Sequence, residues 1–187
     1  VETVYFDQSR AANGTSPHKP GRKSYHPLLA FEGQSRLCLN AVLRAGNTHS
    51  STGVASFLEQ TFELIGDRSV KYARFDKGFG GEDFYRLWES KRIGYVGKLK
   101  WTKRLAAEVA ACRYWKRYVD DEEWVIEGIT LLYNATSWNK LRRVAIIRKA
   151  RVMEDGQTRL IFDTDWQYEA IVTNLEWEPI DLWRFYN

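Results

Sequence analysis

The chain has 187 residues, 44% hydrophobic and 14% aromatic, which suits one packed domain or one with an inserted subdomain and excludes a disordered chain. No apolar run approaches the roughly 20 residues of a membrane-spanning helix, and the opening VETVYFDQSR lacks the apolar core and small-residue site of a signal peptide; the expected location is the cytoplasm, with no membrane partner. The net charge is +4, unevenly placed: Arg86 to Arg117 holds ten Lys/Arg against two acids, Lys140 to Arg151 adds six bases and no acid, and from Val152 onward eight acids face two arginines. Such segregation fits either a polyanionic partner, whose counterions each cation releases, or a solvated helix face. Cys38 and Cys112 form no CxxC pair, which argues against a disulfide framework or a zinc site and leaves buried thiols as the expectation.

In chain order, Val1 to Tyr5 reads as the tail of a strand. Asp7 to Pro27 is a loop, punctuated by Asn13-Gly14, Ser16-Pro17 and Pro20-Gly21 and made basic by Lys19, Arg22 and Lys23. Leu28 to Phe31 and Leu37 to Arg44 predict a hairpin across Glu32-Gly33-Gln34-Ser35. Val54, Phe57, Leu58, Phe62 and Ile65 recur at helical spacing over Ser51 to Leu64, with Ser50 or Ser51 as the cap. A strand over Val70 to Asp76, a helix over Glu82 to Arg92, a strand over Ile93 to Leu99 and a helix over Thr102 to Tyr118, capped by Thr102, follow. Beyond Asp120 the pattern turns β-rich, with strands expected at Trp124 to Tyr133, Leu141 to Arg148, Arg159 to Phe162 and Tyr168 to Thr173. A helix begins near Pro179.

The stretch KYARFDKGFGG (Lys71 to Gly81) is the most informative. It ends a strand on Asp76 and turns at once through Gly78, Gly80 and Gly81, and a carboxylate at the carboxyl end of a strand is placed to hold a metal ion. No second or third carboxylate stands nearby in sequence. The alternative is that Asp76 caps the following helix. A dinucleotide loop would require a third glycine where Asp83 stands.

Four segments taken in order, SPHKPGRKSYHPLLAFE, LRAGNTHSSTGVASFLE, ARFDKGFGGEDFYRLWESKRIGYV and AIVTNLEWEPIDLWRFYN, closely resemble the DDE-type transposases of bacterial insertion sequences. More specifically, they resemble the group 1 DDE transposases, in which a β-rich insertion interrupts the catalytic fold. The resemblance implies an α/β, ribonuclease-H-like mixed sheet flanked by helices, with residues 1–118 as the core, 119–175 as the insertion and 176–187 as the start of the helix leading to a catalytic glutamate. It implies two Mg²⁺ or Mn²⁺ ions held by three carboxylates, cleavage of transposon ends, strand transfer into target double-stranded DNA, and homo-oligomers assembled on that DNA.

Carried over by residue, the resemblance makes Asp76 the second carboxylate and a metal ligand, and Tyr186 the tyrosine that precedes the glutamate. Lys77 departs from the small residue common there. The first aspartate is expected before Val1 and the glutamate after Asn187, so the chain reads as truncated at both ends and inactive in isolation; a non-catalytic DNA-binding remnant of a decayed transposase is the rival reading. His18, Lys19, Arg22 and Lys23 are expected to contact phosphates or be solvated. Arg142 and Arg143 are candidates for a DNA-facing edge, with Trp138 either stacking on a base or packing inside. Trp101 and Trp115 are expected in the core, and His26 and His49 read as structural rather than metal-binding.

Overall fold

The computed structural model describes residues 8–14, 22–120, 123–151 and 166–187. His18, Lys19 and the strands expected at Val1 to Tyr5 and Arg159 to Phe162 lie outside the described residues. The chain divides into two compact units, Val1–Ser69 and Val70–Asn187.

In the first unit, β1 (Ala12–Asn13) pairs antiparallel with β2 (Lys23–Ser24), and β3 (Leu28–Phe31) with β4 (Cys38–Val42), as the turn residues predict for the latter pair. Helix α1 (Val54–Ile65) packs on this hairpin; Asn40 Nδ2 donates to Thr61 Oγ1 at 3.1 Å and to the Phe57 carbonyl at 3.3 Å. The cap differs from expectation. Gly53, at φ 72°, occupies the N-cap and has no side chain to bond with, while Ser51 Oγ is engaged with His49 Nδ1 at 2.7 Å. Arg44 organises the approach to α1 by donating to the carbonyls of His26, His49, Ser50 and Thr52.

The second unit holds β5 (Tyr72–Phe75), α2 (Glu82–Ser90), β6 (Gly94–Lys98), α3 (Lys103–Ala110), β7 (Lys116–Asp120), β8 (Trp124–Tyr133), β9 (Arg142–Arg151), β10 (Gln167–Thr173) and α4 (Pro179–Tyr186). Its six strands form one sheet in the order β5-β6-β10-β9-β8-β7, with β5 parallel to β6 and every other pair antiparallel. β8, β9 and β10 share this sheet with β5 and β6.

The middle of β9, Val144-Ala145-Ile146-Ile147, is wholly buried, as an apolar run without alternation requires when both sheet faces are covered. Neighbouring residues of β6 show the two coverings. Val96 joins Ala145, Ile171 and Leu182 of α4 in one cluster, while Tyr95 stacks on Tyr85 of α2 with centroids 5.6 Å apart. Asn174 ties β10 to β6 with its side chain, accepting from Tyr95 N at 2.8 Å and donating to the Ile93 carbonyl at 3.0 Å. The described residues are therefore a mixed α/β arrangement with helices on both faces of the second unit's sheet.

Two local expectations need correction. The helix from Thr102 is capped as predicted, Thr102 Oγ1 accepting from Leu105 N at 3.2 Å, but it stops at Ala110. Lys116–Asp120 instead pairs with Val125–Gly128, because a strand edge offers this Tyr-Val segment more backbone hydrogen bonds and packing than another helical turn. The thiols are also less enclosed than expected: Cys38 is exposed and Cys112 half-buried.

Arg142 is the best-connected charged side chain of the second unit. It is 3% exposed; Nη1 and Nη2 donate to Glu82 at 2.8 and 3.1 Å, and Nε donates to Glu89 at 2.9 Å. Glu82 also accepts from Asn139 N, and Glu89 takes Lys140 at 2.9 Å. Removing one partner of a buried ion pair strands the others, so Arg142→Ala is expected to cost about 3–5 kcal/mol, measured by urea unfolding. The Arg142 guanidinium and the Asn139 amide hold the Glu82 carboxyl down at about 2. Its folded value lies below its unfolded one, so its contribution is complete above about pH 4.5 and fades as pH falls towards 2. Urea midpoints of Glu82→Gln are expected to vary less across that window than those of the parent chain.

Candidate functional site

Asp76 follows directly on β5 and is exposed, at the carboxyl end of the parallel pair β5–β6. Its Oδ1 accepts from Lys77 N at 2.7 Å, and its carbonyl accepts from Phe79 N at 3.0 Å, closing a tight turn. The capping alternative is not realised: the N-cap of α2 is Gly81, at φ 103°, with no side-chain bond. Phe75, the residue before Asp76, is clamped by Phe84, Trp88 and Tyr95. It also lies so close over Gly97 of β6 that a Cβ there would collide with its ring.

The register that pairs Phe75 with Gly97 brings Asp76 alongside Lys98, a residue that local sequence gives no reason to single out. Lys98 Nζ makes a very close ion pair with Glu169 of β10 and stands 4.6 Å from the Tyr186 ring centroid. Lys149 approaches Glu169 from its other oxygen at 3.6 Å. Burial pushes the Lys98 ammonium down, and Lys149 adds to this, while Asp76 opposes both. Burial followed by the negative charge of Asp76 pushes the Tyr186 hydroxyl up. Arg74, two residues before Asp76, donates to the carbonyls of Phe185 and Tyr186 at 3.2 and 2.7 Å, where a cation complements the carboxyl end of a helix. Asp76 and Tyr186 are thus brought together, with Arg74, Lys98 and Glu169 around them.

This arrangement does not by itself form a metal centre. Among the described residues no group of three or more His, Cys, Asp or Glu is placed to hold an ion. The carboxylate across the strands from Asp76, Glu169, is engaged by two lysines. The described donor set offers one free carboxylate, too few for two divalent ions.

The other candidates divide. Arg142 is buried and its guanidinium is engaged by Glu82 and Glu89, an internal role that its reading as a DNA-facing cation did not foresee. Arg143 is half-buried and donates to the Trp177 carbonyl at 2.8 Å. Trp138 packs inside, edge-on to Tyr85 and Tyr133, which realises the packing alternative. Trp101 is 40% exposed and Trp115 half-buried, both against Tyr168; Trp115 lies beyond the end of α3 at Ala110, so the helical spacing expected there is not realised. In the first unit Arg22 and Lys23 are exposed, and His26 is structural, its Nδ1 at 2.8 Å from the Thr48 carbonyl.

A comparison with protein families decides the ancestry: residues 4–187 match the family described as Transposase DDE domain, group 1. The chain belongs to that family. No curated protein and no solved structure matches it. DDE transposase domains act on DNA and generally use divalent metal ions. Among the described residues no helix is long and apolar enough to cross a membrane.

Because Phe75 needs the bare backbone of Gly97, Gly97→Ala is expected to destabilise the second unit by about 1–3 kcal/mol and to displace the turn that carries Asp76. Urea unfolding and the amide shifts of residues 75–81 would register both effects.

Proposed function

We propose that this DDE domain serves metal-dependent cleavage of transposon ends and strand transfer into target double-stranded DNA, with Asp76 as the one metal-holding carboxylate that the described residues supply. The supporting observation is the placement of Asp76. It lies exposed at the carboxyl end of the parallel pair β5–β6, with Tyr186 electrostatically coupled to it and α4 held there by Arg74. A ribonuclease-H-like sheet, with the β-rich stretch 119–175 as the family's insertion, is the fold reading that accompanies it. Mg²⁺ or Mn²⁺ is the expected cofactor, the cytoplasm the expected location, and an oligomer on DNA the expected working form. His18, Lys19, Arg22, Lys23 and Arg143 remain candidates for DNA contact; Arg142 does not.

Among the described residues one free carboxylate faces this corner, and one does not organise two metals; on that reading the 187-residue chain leaves the terminal repeats of its element uncut in Mg²⁺. Robust cleavage by this chain would overturn the single-carboxylate reading. In any form of the protein that does cut, Asp76→Asn is expected to lower the rate by about 10³-fold, since metal stabilisation of the transition state is worth several kcal/mol. A rate within a few-fold of the parent would remove Asp76 from the site.

A second reading is a DNA-binding remnant without catalysis, in keeping with the one free carboxylate that the described residues bring to this corner. It predicts binding to the terminal repeats with no metal-dependent cut.

A further inference from the structure

On the α2 side of the sheet, next to Asp76, lies a cleft of about 170 Å³ between the loop that follows β5 and the loop that follows β6. Lys77, Gly80 and Gly81 line one wall, and Lys98, Leu99, Lys100 and Thr102 line the other. Its floor is aromatic: Tyr85, Tyr133 and Trp138 are each at most 6% exposed. Among the described residues no Asp or Glu lines it.

Its three lysines are not equivalent. Lys98 is committed to Glu169. Lys77 and Lys100 are exposed, and neither ammonium has an ion pair or hydrogen bond to a described residue. Two uncompensated cations over a low-dielectric floor focus a positive potential into the cleft. At Gly80 a Cβ would come within 3.1 Å of Tyr85 Oη, so the loop packs closely on the aromatic floor there. The volume equals about five or six water molecules, which suits one phosphodiester group and excludes a base pair.

We propose that this cleft seats a backbone phosphate of the DNA strand brought to Asp76, with Lys77 and Lys100 as its two charged contacts. The proposal rests on the DNA reading above and assigns to that site a binding feature next to its carboxylate. Lys77 then acts as a phosphate clamp rather than as a charge opposing a metal at Asp76. The aromatic floor excludes water from beneath the phosphate and keeps the two ammonium groups effective.

Binding of a labelled 20-base-pair duplex of arbitrary sequence, followed by fluorescence anisotropy across about 50–200 mM salt, tests this. Removing one cation that neutralises a phosphate lowers the slope of log affinity against log salt by about 0.9. Lys77→Ala and Lys100→Ala are each expected to weaken binding and reduce the slope by about that amount, the double variant by about twice as much, and Lys→Arg at either position to restore it. The comparator is Arg68→Ala, an exposed cation of the other unit. Slope changes no larger than the comparator's would overturn the cleft while leaving the DNA reading intact. Absence of DNA binding by the parent chain would overturn both. Competition by millimolar pyrophosphate that is weaker against the double variant than against the parent, together with the reduced slope, supports the assignment; equal competition against both would overturn it. Competition that the double variant abolishes while duplex affinity is unchanged would reassign the cleft to free phosphate and overturn the proposal.

Discussion

Arg142 sits at the first position of β9, buried, with one carboxylate at each end of α2 folded onto its guanidinium. That single residue fastens the sheet to the helix, and through Asn139 and Lys140 it also fastens the turn between β8 and β9. Its stacking over Tyr85 and Trp138 completes the contact. A buried ion pair contributes little net stability over an apolar substitute, because desolvation offsets most of the attraction. Its effect here is geometric: α2 has one seat on the sheet, and the turn from Asp76 to Gly81 that leads into α2 is held from both ends.

The position of Asp76 follows from that seat and from the sheet. β5 delivers the carboxylate at the edge strand, and the parallel register with β6 sets Lys98 beside it. β10 then brings Glu169 to Lys98, and α4 brings Tyr186 over the same ammonium. One cation therefore lies between the exposed carboxylate and a second that is already neutralised. On the other side of the strand ends, Lys77 and Lys100 are left without such a partner among the described residues, so positive potential is concentrated there. Two adjoining regions of opposite character, a carboxylate corner and a basic cleft, arise from the ends of the same two strands.

Much of the second unit is legible from local pattern. The β8 limits match expectation at both ends, α2 begins at the predicted Glu82, and Thr102 caps α3 as its position implies. These features depend on residues a few positions apart, where helical or alternating spacing carries the information. The failures share the opposite cause. β7 reads as helix because its own sequence does not reveal that the edge of β8 awaits a partner. Trp101 and Trp115 read as core residues on the strength of that same helix. Arg142 resembles a surface cation because the two glutamates that neutralise it lie 60 and 53 residues away.

By itself the sequence determined the family, through KYARFDKGFGG and the three segments that accompany it, and it determined Asp76 as the carboxylate to follow. It also determined most elements and the apolar stripes that bury them. Only the tertiary structure decided which charges are free to act. Arg142 and Lys98 are consumed by carboxylates from distant strands and helices, while Lys77 and Lys100 are left open beside Asp76. A charge is neutralised by whatever approaches within a few ångströms, and for residues separated by tens of positions the folded chain alone fixes that approach.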